Sequence, residues 1–270
     1  MYLKPKVKAP SLELIEKTSA ILRQNGTNTI CMESGCPNVS ECFLRGTATF
    51  LILGSICTRN CRFCAVTHSK PGEVDLNEPK RIAKAVNELG LNYVVITSVD
   101  RDDLKDLGSR QFVKCVEELR GIKVEVLTPD FQAKEEILDF VAGSAPYKLA
   151  HNIETVERLF KKIMPGCSYK KSLKVLSRYA KSNILTKSSI MVGLGEREEE
   201  LLRTFRHLIE AGVSQLTIGQ YLQPSPSHAP VEKYYTQSEF EKLKEAAMGF
   251  GFKSVVSGPL VRSSYYADIL

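Results

Sequence analysis

Along this chain, short continuous apolar runs alternate with segments whose apolar residues recur at helical spacing. Thr47 to Gly54 (TATFLILG) is an apolar run of strand length. NYVVITSV (92–99), KVEVLTP (123–129), the stretch from Tyr147 to Ile153, SSIMVGLG (188–195) and SQLTIGQYL (214–222) share its character. Runs of this length, bounded by turn residues, predict buried strands. Between them, Ile82, Val86 and Leu89 fall on one face of residues 79–89, with Asn77 as N-cap and Gly90 as stop, and Leu201, Phe205 and Leu208 repeat within 196–211 before Gly212. Alternation of this kind predicts parallel strands joined by helical crossovers. Counted this way there are six βα units, which predicts an α/β fold: a partial (β/α)6 TIM-like barrel with N- and C-terminal extensions.

The extensions read differently from the barrel. Residues 1–46 hold one predicted helix around Leu12 to Leu22 and then a cysteine-containing stretch. Residues 47–222 form the barrel. Residues 223–270 open with a Pro- and Ser-rich loop, QPSPSHAPVEKYY (223–235), followed by a capping box, Thr236 with Glu239, that starts a helix burying Phe240 and Leu243.

Six of the eight cysteines lie within 34 residues, as two triplets. Cys31, Cys36 and Cys42 follow C-x4-C-x5-C, and Cys57, Cys61 and Cys64 follow C-x3-C-x2-C directly after the first predicted strand. Three thiolates from one short loop can hold three irons of a cubic iron–sulfur cluster and leave the fourth iron open. The loop leaving a strand's carboxyl end is also where an α/β barrel assembles its active site. A closed zinc site needs four ligands, which neither triplet supplies. Disulfides belong to oxidising compartments, and the polar start MYLKPKVKAP has no secretory apolar region, so a cytoplasmic location is expected. Cys115, in QFVKCVEEL, reads as a small core hydrophobe and Cys167 as a loop residue. His68, His151, His207 and His228 show no paired ligand spacing, although His151 is near enough to Asn152 and Glu154 to line a site.

Other candidate residues sit at predicted strand ends. Ser98 and Asp100 follow one strand, Asn152 and Glu154 a second, and Gly193 and Gly195 a third. Taken singly, Asp100 and Glu154 read equally as a cap or turn, and the glycines more often as turns. Their shared position at carboxyl ends favours a functional role.

The GSICTRNCRFCAV segment resembles the signature of the radical S-adenosylmethionine superfamily. The resemblance implies that Cys57, Cys61 and Cys64 hold a [4Fe–4S] cluster whose open iron is chelated by S-adenosylmethionine, with Phe63 beside the adenine and the strand-end residues around the methionine and ribose. The CMESGCPNVSECF segment and Arg262-Ser263-Ser264-Tyr265 are together similar to the lipoyl synthase family, as are TSVDRDDL (97–104) and HNIETV (151–156), so the likeness runs from about residue 26 to about residue 268. It implies a second [4Fe–4S] cluster on Cys31, Cys36 and Cys42, completed by a serine oxygen, of Ser264 or else Ser263, which would bring the two extensions together. It further implies insertion of two sulfur atoms, drawn from that second cluster, at C6 and C8 of an octanoyl group on a carrier-domain lysine. Expected partners are octanoylated lipoyl carrier domains, an electron donor such as ferredoxin or flavodoxin, and an iron–sulfur assembly or carrier protein. Two departures from the family pattern are Cys167, where a small non-thiol residue is expected, and Leu107, where glycine is common. The alternatives are another radical sulfur-insertion enzyme or a non-enzymatic cluster carrier.

Composition narrows the field without adding to the site. At 270 residues and 43% hydrophobic, the chain can bury a large core. No apolar stretch has the length of a membrane span. The 37 Lys and Arg against 31 Asp and Glu leave a net charge of +6, which reads either as attraction for an acidic carrier domain or, more often, as an ordinary solvated surface, without a block dense enough for nucleic acid.

Overall fold

The computed structural model describes residues 11–33 and 36–269; the opening MYLKPKVKAP lies outside the described residues. These fall into two compact units, one comprising the residues up to Thr58 with Val66–Lys148, the other Arg59–Ala65 with Leu149 onward.

In the first unit, α1 (Leu12–Gln24) starts at Ser11, whose hydroxyl accepts from the Leu14 N–H. β1 (Asn28–Thr29), α2 (Ile30–Glu33) and α3 (Val39–Leu44) precede β2 (Thr47–Ile52), and β1 pairs antiparallel with β2. The two-residue strands β3 (Ile56–Cys57) and β4 (Thr67–His68) pair parallel with each other. Then follow α4 (Glu78–Leu89), β5 (Tyr93–Ser98), α5 (Ser109–Glu118), β6 (Lys123–Leu127) and α6 (Glu135–Gly143). The strand order is β1-β2-β5-β6, with β2, β5 and β6 parallel. All six residues of β2 are buried, which is why its sequence is a continuous apolar run and not an alternating one. β2 ends where the sequence bends sharply, at Leu53 (φ 68°) and Gly54 (φ 86°), two residues before the predicted boundary. α4 ends as its sequence predicts, on Gly90 in the left-handed conformation.

β7 (Lys148–Ala150) begins at the last residue of the first unit, and the second continues through α7 (Glu157–Ile163), α8 (Tyr169–Ala180), β8 (Leu185–Val192), α9 (Glu198–Glu210), β9 (Gln215–Gln220), α10 (Gln237–Gly249) and β10 (Ser254–Gly258). The order is β7-β8-β9-β10, with β8, β9 and β10 parallel. Ile190, Val192, Phe205, Leu216, Ile218 and Phe240 form the centre of its core. The capping box of Thr236 and Glu239 is formed at the start of α10.

The α/β class and the parallel pairing match the sequence expectation. The six expected strands are present as β2 and β5 to β9, and within the predicted C-terminal extension β10 adds a further parallel strand. Its only apolar residues are Val255 and Val256, and only Val255 of the two is buried, so its sequence carries too little apolar signal to read as a strand. Among the described residues, no helix is long and apolar enough to cross a membrane.

Candidate active site

The upstream cysteines come together against β2. Cys31 lies on α2 and Cys42 on α3, and the Cys36 N–H donates to the Cys31 carbonyl at 3.0 Å. Successive side chains of a strand alternate faces, so Thr47 and Thr49 of β2 point the same way. Both address the thiols: Thr49 hydrogen-bonds Cys31 through backbone and side chain, and Thr47 hydrogen-bonds the Cys42 thiol while its hydroxyl donates to the Cys42 carbonyl at 3.0 Å. Burial, followed by the negative charge of Cys36, pushes the Cys31 thiol up to about 11. Burial and then the charges of Cys31 and Cys36 push Cys42 up to about 12. Cys31 and Cys42, which resist ionisation through burial first and through neighbouring thiols second, make with Cys36 a donor set suited to cationic iron, whose charge removes that penalty. Among the described residues, no three His, Cys, Asp or Glu side chains are placed to share one metal ion. Cysteines of a cubic cluster each bind a different iron and so stand further apart. Thr47 and Thr49 escaped the sequence reading; their signal is two hydroxyls at alternate positions of an otherwise apolar strand.

The downstream cysteines are held mainly through backbone. Cys57 lies on β3, not in an open loop, and its sulfur accepts from the Asp100 N–H at 3.3 Å. Thr58 fastens the same turn: its N–H and hydroxyl donate to the Asp100 carbonyl at 3.0 and 2.9 Å, and its oxygen accepts from the Asp102 N–H at 3.1 Å. Arg101, only 3% exposed, grips Asp103 through two bonds of 2.9 and 2.8 Å and donates to the Gly72 carbonyl at 2.9 Å. Leu107 adopts φ 52°, a left-handed conformation natural to glycine, while its side chain is buried; this is the physical content of that departure from the family pattern. Ser98, at the end of β5, has a buried hydroxyl without a hydrogen-bond partner, which a bound polar group would satisfy.

In the second unit, Cys61 and Phe63 pack half-buried against the core and Cys64 is half-buried. The Arg62 N–H donates to the Ile163 carbonyl and its carbonyl accepts from the Ala229 N–H, both at 2.8 Å. His228 lies within hydrogen-bonding distance of the Cys64 carbonyl (Nε2, 3.0 Å) and of the Ser225 hydroxyl (Nδ1, 2.8 Å). The long 223–235 loop is therefore a clasp on the cysteine loop. No sequence signal joins His228 to a residue 164 positions away. Cys167 contacts the Arg59 guanidinium at 3.5 Å.

Asn152 donates to the Glu154 carboxylate at 3.0 Å, and Glu154 itself has φ 61°. Its backbone remains in register with β8 through bonds with Ser189 and Met191 at 3.0 and 2.9 Å. Burial lifts its carboxyl to about 7, opposed by the Asn152 bond. Gly193 has φ 105°, and a side chain there would strike Gln220 and the Lys233 carbonyl. Its N–H donates to Glu196 at 2.6 Å and its carbonyl accepts from the Glu232 N–H at 2.8 Å. Gly195 (φ 97°) faces Glu232. Ser264 lies in a half-buried turn after β10 whose Arg262 donates to the Gln220 carbonyl at 3.4 Å. Ser264 thus belongs to the second unit and Cys31, Cys36 and Cys42 to the first.

Residues 51–208 match the radical SAM superfamily. The chain is 50% identical to the lipoyl synthase of Buchnera aphidicola subsp. Baizongia pistaciae, over 97% of this chain and 86% of that protein, and 46% identical to the lipoyl synthase of Serratia proteamaculans, over 99% and 85%. The chain belongs to the lipoyl synthase family. As a member it is an enzyme, a sulfurtransferase of the radical SAM class, and that class implies a [4Fe–4S] cluster and S-adenosylmethionine. The fold is shared with SuiB of Streptococcus suis in its S-adenosylmethionine-bound form (TM-score 0.63, 14% identity, 92% of this chain and 55% of that one). It is shared also with the hydrogenase maturase HydG of Carboxydothermus hydrogenoformans (TM-score 0.63, 14% identity, 90% and 66%).

Proposed function

We propose that this lipoyl synthase family member inserts sulfur at C6 and C8 of an octanoyl group carried on a lysine of a lipoyl carrier domain. The observation that carries the proposal is the second cysteine set: Cys31, Cys36 and Cys42 gathered on α2, α3 and the turn between them, against Thr47 and Thr49. A radical enzyme needs one cluster to cleave S-adenosylmethionine, and a separate thiol triplet is the natural home for a sulfur donor.

When bound, S-adenosylmethionine and the cluster on Cys57, Cys61 and Cys64 supply the radical that removes hydrogen from an unactivated carbon, and the cluster on Cys31, Cys36 and Cys42 supplies the sulfide. The rest falls to the chain. Asp100 and Thr58 fix Cys57, while Ile163, Ala229 and His228 fix the backbone of Cys61 to Cys64. Ser98, whose hydroxyl has no partner among the described residues, Asp100, Asn152 and Glu154 would hold polar groups of the cofactor, and Phe63 would offer an aromatic face to its adenine. Gly193 and Gly195 shape the adjoining turn. Ser264, with Ser263 as the alternative, would provide the oxygen ligand of the donor cluster, a harder and poorer partner for iron than thiolate.

The division into 1–46, 47–222 and 223–270 serves this chemistry, the first and last segments supplying the donor cluster and the middle one the radical source. The enzyme works in the reducing cytoplasm, with a low-potential electron donor such as ferredoxin or flavodoxin and a protein that rebuilds the spent cluster. The test is anaerobic: reconstituted protein, S-adenosylmethionine, a strong reductant and an octanoyl-lysyl peptide. The expected products are 5'-deoxyadenosine and a peptide that has gained two sulfur atoms. Deoxyadenosine with an unaltered peptide would overturn the sulfur-insertion reading.

A further inference from the structure

The positive charge of this protein is concentrated in one place. From Glu157 to Lys181, covering α7 and α8, there are eight Lys and Arg against one Glu, a local charge of +7 in a chain whose total is +6. Lys161, Lys162, Lys170, Lys171 and Lys174 are all exposed. Arg158 is engaged by Glu200 of α9 at 2.6 Å, so the basic face begins beyond it. α8 has no acidic residue along its length, and its first turn carries Lys170 and Lys171, where the helix dipole disfavours cations. Lysines placed against the local preference of their helix are poorly explained by stability alone.

This basic segment touches the cysteine loop. The Arg62 N–H donates to the carbonyl of Ile163, the last residue of α7, at 2.8 Å, and Arg59 reaches Cys167 just ahead of α8 at 3.5 Å. Arg62 is exposed and extends the positive charge onto the loop itself. A negatively charged protein seated on α7 and α8 would rest beside Cys61 and Cys64.

We propose that the α7–α8 face is the docking surface for an acidic one-electron carrier protein that reduces the radical cluster. This rests on the reading of Cys57, Cys61 and Cys64 given above. One electron leaves the docked carrier, which is oxidised by one unit, and enters the cluster held by the loop, which is reduced by one unit; no proton or atom is transferred. The surface acts through steering, so its effect falls on association with the carrier and not on the chemistry that follows.

The test compares wild type with the triple variant Lys162→Glu, Lys170→Glu and Lys171→Glu, and with a control, Lys242→Glu and Lys244→Glu, on the exposed side of α10. With reduced flavodoxin as the acidic donor, the triple variant should need at least ~10-fold more donor for half-maximal 5'-deoxyadenosine formation. Its rate with dithionite, and its KM for octanoylated carrier domain, should match wild type, and the control should match wild type throughout. The donor requirement of wild type should rise steeply with salt and that of the triple variant should not. Calorimetric affinity for flavodoxin, measured on the same proteins, tests the surface even if no deoxyadenosine forms, so that failure of the cluster reading is told apart from failure of the docking surface. Unchanged flavodoxin affinity in the triple variant, an equal loss in the control, or a rise in carrier KM in place of donor KM would each overturn the proposal.

Discussion

The two cysteine triplets of this chain are built by different means. Cys31 and Cys42 lie on short helices packed on the all-buried strand β2, and side-chain hydroxyls of Thr47 and Thr49 meet their sulfurs. Cys61 and Cys64 lie on a loop whose main chain is tied by Ile163, Ala229 and His228, while Cys57 accepts from a backbone N–H. In the first set, hydroxyls of a neighbouring strand meet two of the sulfurs; in the second, a backbone N–H meets the sulfur of Cys57 and main-chain bonds tie the loop that carries Cys61 and Cys64. On the function proposed above, ligands on small packed helices would suit a cluster that is consumed and rebuilt. A cluster that must present an open iron at fixed geometry gains from a braced loop.

The sharpest way to break this comparison is to remove one cysteine of the braced loop. Cys61→Ala should abolish 5'-deoxyadenosine formation altogether, since two thiolates do not hold the radical cluster; cleavage at the parent rate would remove the loop from the mechanism. Next in size is Ser264→Ala, which should stop or severely slow sulfur insertion while leaving cofactor cleavage intact. Normal product from Ser264→Ala and none from Ser263→Ala would move the ligand by one residue, and full activity in both would end the serine assignment.

Smaller effects sharpen the contrast. Thr49→Val keeps the shape of β2 but deletes a hydroxyl that meets Cys31, and should cost about 1 kcal/mol of apoprotein stability. It should also slow iron uptake by the upstream triplet alone, read as iron bound per chain during reconstitution. Glu154 gives a change of similar size that appears only at higher pH. Its folded pKa of about 7 stands above the ordinary carboxyl value of 4.5, through burial. An acid raised in this way imposes no cost below its ordinary value and a growing cost as pH rises from there through the folded value. Glu154→Gln should therefore raise the apoprotein Tm at about pH 7.5 by roughly 2–4 °C, for a gain near 1 kcal/mol, and leave it unchanged below about pH 4.5. Equal shifts at both pH values would contradict the assignment.

What could be read beforehand follows from how local each signal is. β2 was legible because a strand buried along its whole length needs an unbroken apolar run, and α4 because Gly90 marks its end. β10 was not, since one buried valine among serines and a glycine carries little pattern. At the site, the cysteine spacings were legible because each triplet is close in sequence. The hydroxyls of Thr47 and Thr49 were hidden inside a run read only for its apolarity. The His228 clasp was invisible because nothing local ties the 223–235 loop to Cys64. Leu107 lies between these cases: its sequence flagged a departure, and only the backbone, at φ 52°, showed that it takes a glycine's conformation.

The central claim is that the two triplets divide the labour, one making the radical and the other giving up sulfur. Cys36→Ala tests it most directly, because Cys36 belongs to the upstream triplet and has no part in the braced loop. With S-adenosylmethionine, reductant and octanoyl-lysyl peptide under anaerobic conditions, 5'-deoxyadenosine and sulfur-containing peptide are quantified together by mass spectrometry. The account predicts continued deoxyadenosine formation with no sulfur in the peptide; lipoyl product from this variant would contradict it.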